Sequence, residues 1–188
     1  MGVDSAFILV LAVSFPGLIL SVFIKRFMVP VPSLNRPWSA WVLHSGVWLL
    51  AYGVLVLLLG RPWYAATNVT VFLFVLVMVN NAKMKALREP FVYQDFEYIT
   101  NAIKHPRLYI PFLGWGKFLA AVAGGVLAIY VGLWGEAVPV NRFAWSGQLG
   151  GILFVTSWGL LLLFFASRKP LSVNFEPDQD IVKFGLLA

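Results

Sequence analysis

Lys83, Lys85 and Arg88 stand close together in a stretch, 80–114, that holds 8 of the 22 charged side chains of the chain. Two ammonium groups and a guanidinium at that spacing suit a phosphate: arginine binds its oxygens bidentately, and lysine acts as a point charge. The same run also serves as a topology and headgroup signal, worth about 1 kcal/mol per basic residue at an anionic surface. Glu89 and Asp95 read as internal counter-charges of this run rather than as acid-base catalysts. Other chemistries are excluded by residue type. There is no cysteine, no His-Glu-x-x-His, no phosphate-binding loop and no Gly-x-Ser-x-Gly. His44 and His105 lack metal-ligand spacing, and Glu176, Asp178 and Asp180 alternate without a histidine, as a solvated acidic linker does. No catalytic residue and no metal ligand is assigned in this chain.

The elements that must position this stretch are apolar. Of 188 residues, 60% are hydrophobic and only 12% charged, with a mean hydropathy of +0.83. Soluble domains carry about twice that share of charge. The net charge of +6 sits between hydrophobic segments, where anionic lipid and topology explain it; no nucleic-acid motif is present. About 20 apolar residues cross a bilayer, and five segments qualify: 5–24, 40–59, 67–82, 118–134 and 149–166. The first has no basic leader and no cleavage site, so it reads as a retained span, kinked at Pro16. His44, one turn inside the second, is expected to hydrogen-bond a neighbouring helix. The third helix is expected to continue through Ala82–Leu87 until Pro90 forbids it. Small residues on the fourth, including Ala123, Gly124 and Gly125, suit close helix approach.

Between the third and fourth spans, Phe96, Ile99 and Ile103 recur at helical spacing across 94–104, with Asp95 and Glu97 early and Lys104 late. His105 and Pro106 end this segment, which is too short to span and is expected to lie in the interface. The fold class is therefore an all-helical integral membrane domain over 1–170, with an interfacial segment at 83–114 and a linker at 171–188.

Asn80-Asn81-Ala82-Lys83, Leu87-Arg88-Glu89-Pro90-Phe91, Gln94-Asp95-Phe96 and His105-Pro106-Arg107-Leu108-Tyr109 together resemble the amino-terminal membrane region of bacterial lipoteichoic acid synthase-like phosphoglycerol transferases, members of the sulfatase superfamily. The resemblance is closest to members in Gram-negative bacteria and is specific over about 30 residues; Phe175-Glu176-Pro177-Asp178 adds to it. It implies five spans in the bacterial inner membrane, followed by an extracytoplasmic catalytic domain with a threonine nucleophile and a divalent metal. No residue here matches that catalytic motif, so the implied role is to anchor the enzyme and present anionic phospholipid to it. The linker would lead to a missing catalytic domain, and the chain itself would bind no cofactor. Lys83, Lys85 and Arg88 are the lipid-phosphate candidates; Glu89, Asp95, Phe96, Tyr98, His105, Arg107 and Tyr109 are candidates for interfacial or partner contact. The alternative is a stand-alone scaffold or regulatory subunit of a separately encoded cell-envelope enzyme.

Topology divides these readings. Basic residues fill the first and third connectors and the tail, while the second and fourth hold only Arg61 and Arg142. Counting them places the carboxyl end in the cytoplasm; the resemblance places it outside.

Overall fold

The computed structural model describes residues 3–92, 95, 104, 107, 114–136, 142–168 and 177–185. Regular structure there is entirely helical: α1 (Val3–Ile24) with a 3-10 turn (Lys25–Phe27), α2 (Trp38–Leu59), α3 (Pro62–Leu87), α4 (Trp115–Gly135), α5 (Arg142–Arg168) and α6 (Pro177–Phe184). Four segments have the length and hydropathy to cross a membrane: Val3–Phe27, Trp38–Leu59, Pro62–Leu87 and Trp145–Arg168. α4 occupies the place of the predicted fourth span, and its apolar part covers Val122–Gly135.

The distribution of side chains is that of a lipid-solvated bundle. Phe15, Leu58, Trp134 and Leu153 are each more than 60% exposed, whereas Ser21, Lys25, His44, Asn80 and Gln148 are buried. In water such apolar faces would drive association; in hydrocarbon they are the solvated surface, and polar groups turn inward. Helix association then depends on close packing. Gly46 and Gly159 supply it between α2 and α5: a Cβ on Gly159 would lie 3.2 Å from the Gly46 carbonyl oxygen and 3.2 Å from Leu50 N. Gly17 leaves room for the Trp48 ring, which stacks on Tyr52 at 5.2 Å. The Tyr52 hydroxyl donates to Val10 O at 2.9 Å, tying α2 to α1.

Contacts fix the direction of each helix. Ser21 meets His44 and Val10 meets Tyr52, so α1 and α2 are antiparallel. Gly46 and Gly53 face Gly159 and Thr156, making α2 and α5 antiparallel as well. The Glu136 carboxylate accepts from Trp63 N and Tyr64 N, at 3.1 and 3.0 Å, joining the carboxyl end of α4 to the amino end of α3. A carboxylate is favourable there because the first amides of a helix lack partners.

Two expectations need adjusting. Gly124 and Gly125 make no close approach, with nothing within 4 Å of a Cβ on either; the tight glycine of α4 is Gly132, against the Tyr64 ring of α3. Among the described residues the tight glycines lie chiefly on α1, α2 and α5, because those helices form the packed centre. The tail is also more than a linker, since α6 buries Ile181 and Phe184 and its Val182 O accepts from Ser33 N at 2.9 Å. Pro16 lies within α1, which continues through it as one helix.

Candidate functional site

The antiparallel order brings the connector after α1, the end of α3, the start of α4, the end of α5 and α6 to one end of the bundle. That end carries Lys25, Arg26, Arg36, Lys83, Lys85, Arg88, Arg168 and Lys183.

Its centre is a polar latch. α3 runs on to Leu87 and stops at Arg88, which takes the left-handed conformation (φ 59°) and donates its amide to Met84 O. On its last turns Asn80, fully buried, donates Nδ2 to Val29 O at 2.7 Å and accepts at Oδ1 from Phe91 N at 2.9 Å. Asn81 accepts at Oδ1 from Val29 N and donates Nδ2 to Phe27 O, both at 2.7 Å. Together the two amides fasten the α1–α2 connector and the chain beyond α3 to one helix end. Lys83 Nζ donates to Asp95 Oδ2 at 2.7 Å and to Oδ1 at 3.0 Å, with Glu89 Oε2 at 3.8 Å. Asp95 Oδ2 also accepts from Val92 N at 2.7 Å. The counter-charge role expected of Glu89 and Asp95 is thus visible in the geometry, and the Lys83 ammonium is engaged by it.

The remaining candidates separate by exposure. Lys85, Arg88, Glu89 and Arg107 are exposed. Among the described residues no carboxylate pairs with Lys85 or Arg88. Phe96, Tyr98, His105 and Tyr109, and the interfacial helix expected at 94–104 apart from Asp95 and Lys104, lie outside the described residues.

His44 meets Ser21 Oγ at 2.9 Å through Nε2, the inter-helix bond expected of it. Ser21 Oγ donates to Leu18 O at 2.6 Å, which assigns Nε2 as the donor toward serine. Sequence reasoning missed a second cationic group. Lys25 is 1% exposed, and among the described residues its Nζ has no hydrogen-bond partner. Arg36 is also buried; its Nε donates to Ser33 O at 2.7 Å. Burial, and then the neighbouring Arg26, hold the Arg36 guanidinium below its ordinary range. The only sequence signal was a Lys-Arg pair ending a span, which ordinarily marks an exposed boundary.

Between α2 and α5, at the same end, a groove of about 270 Å³ is lined by Trp38, Val42, Leu162, Phe165 and Arg168. Among the described residues no group of three or more His, Asp or Glu is placed to hold a metal ion.

The fold and this end define an all-helical chain with four helices apolar and long enough for a multi-pass membrane protein. Comparison with known families, with curated proteins and with solved structures returned no match.

Proposed function

We propose that this chain is the membrane-anchoring and lipid-presenting domain of a phosphoglycerol transferase-like enzyme of the bacterial inner membrane. Its basic end holds anionic phospholipid for an extracytoplasmic catalytic domain beyond 188. In this reading α4 is the fourth of five spans, and 94–104 is an interfacial helix lying beside the headgroups. Any divalent metal belongs to the catalytic domain.

The observation that carries the reading is the gathering of cations at one end, with Lys85 and Arg88 left exposed and, among the described residues, without a carboxylate partner. Arg88 adds weight through its backbone. A non-glycine residue in the left-handed region costs about 1 kcal/mol, and glycine is the usual occupant of such a helix end. An arginine kept there is supported by a use for its side chain. The groove beside Arg168 suits an acyl chain below a headgroup, because its walls are largely apolar. Latching by Asn80, Asn81 and Asp95 gives the segment that resembles the phosphoglycerol transferases a rigid seat at this end.

Two measurements test the reading. The purified chain is expected to retain phosphatidylglycerol in preference to phosphatidylcholine, scored by native mass spectrometry. The double variant Lys85→Gln, Arg88→Gln should lower that preference about 30-fold, at about 1 kcal/mol per basic residue; an unchanged preference refutes lipid presentation. An alkaline phosphatase fused after Ala188 is expected to be active, and an inactive fusion in a correctly inserted chain refutes an extracytoplasmic catalytic partner.

A further inference from the structure

Lys25 and Arg36 are two buried cations on either side of the α1–α2 connector, and both heads converge on one residue. A Cβ placed on Gly185 would lie 2.6 Å from Arg36 Nη1 and 3.6 Å from Lys25 Nζ. Gly185 caps α6 in the left-handed conformation (φ 87°) and donates its amide to Ile181 O. The carboxyl end of α6 therefore sits on the cation pair, held by Ile181, Phe184 and the Ser33–Val182 hydrogen bond. This helix end supplies only about half an elementary negative charge, against the Arg36 guanidinium and the buried Lys25 amino group. Among the described residues no carboxylate is in ion-pair reach of Lys25, Arg26 or Arg36. A buried ammonium without a partner is among the least favourable arrangements a protein retains, unless a ligand completes it.

We propose that Lys25 and Arg36, beneath the Gly185 turn, form a binding site for a single phosphate group, carried by a phospholipid headgroup or by a soluble phosphomonoester. Phosphate matches both donors: the guanidinium offers a planar fork and the ammonium a third hydrogen bond. With glycine at 185 the turn packs directly against Arg36 Nη1, where a Cβ would clash. The site lies at the carboxyl end of the candidate span Val3–Phe27. Entry displaces the α6 turn, so occupancy and the seating of α6 are coupled. For a lipid source the site rests on the reading of this end as a phospholipid-binding face; for a soluble source it stands independently of that reading.

The test uses the full chain in nanodiscs of phosphatidylcholine alone, with added phosphatidylglycerol, or with inorganic phosphate or glycerol phosphate in the buffer. The wild type is expected to gain roughly 3–5 °C in Tm at tenfold excess over Kd in at least one supplemented condition. A gain with phosphatidylglycerol alone identifies a lipid, and a gain with the soluble anions identifies a free phosphate. Lys25→Met should abolish the gain and match or exceed the wild-type Tm in phosphatidylcholine, because it removes an unpartnered buried charge. A variant that keeps the gain, or that unfolds in phosphatidylcholine, overturns the site, as does a wild type that gains nothing in any condition. The Lys85→Gln, Arg88→Gln variant should keep the gain from soluble phosphate. That separates failure of this site from failure of the exposed basic face.

Discussion

Asn80 is the side chain on which the basic end depends most. It is fully buried on α3, and its amide bridges Val29 O and Phe91 N at 2.7 and 2.9 Å. Asn80→Ala removes both bonds and leaves a carbonyl and a buried amide hydrogen without partners. Each such group costs about 1–3 kcal/mol, so the loss is about 2–6 kcal/mol. At about 2–4 °C per kcal/mol for a chain of this size, Tm should fall by roughly 4–24 °C. Asn81→Ala also removes two bonds, at 2.7 Å each, but to exposed groups that water can satisfy, and should cost about 1 kcal/mol. Asn80→Asp keeps the acceptor for Phe91 N but sets an oxygen against Val29 O, so it should resemble Asn80→Ala. The assay is thermal unfolding of the detergent-solubilised chain, alongside limited proteolysis of the connector at 28–37. Equal Tm losses for Asn80→Ala and Asn81→Ala would refute the reasoning, because they would mean that burial at Asn80 contributes nothing.

Two further outcomes follow from the packing. Gly159→Val should lower Tm by an amount corresponding to about 1–3 kcal/mol, since its Cβ meets backbone at 3.2 Å on α2, whereas Gly124→Val, with nothing within 4 Å, should be near neutral. Ser21→Ala should cost about 1–3 kcal/mol by stranding His44 Nε2, and adding His44→Leu should recover much of it, a coupling that a double-mutant cycle on Tm measures.

Hydropathy made the spans legible, because lipid imposes length and apolarity on each one locally. The described helices at 3–24, 38–59, 62–87 and 142–168 enclose or closely match the segments read from composition. Helix propensity and Pro90 likewise foretold that α3 continues to Leu87. His44 was readable as hydrogen-bonded to a neighbouring helix because a polar group one turn inside a span must find a partner. α6 was hidden because eight residues are too short a run to separate a helix from a polar linker, although its buried Ile181 and Phe184 stand three apart. Gly46 and Gly159 are no different in sequence from Gly124, and which glycine is tight depends on which helices meet.

The sequence by itself determined that this chain is built of apolar helices and that its cations fall in alternate connectors, since charge cannot remain in hydrocarbon. Only the tertiary structure decided how those cations are used. Lys83 is neutralised by Asp95, twelve positions along the chain. Lys85 and Arg88 face outward, and Lys25 is enclosed with Arg36 under Gly185. The physical reason is that a cation's effect depends on its distance to counter-charge and water, and both are set by which helix ends meet.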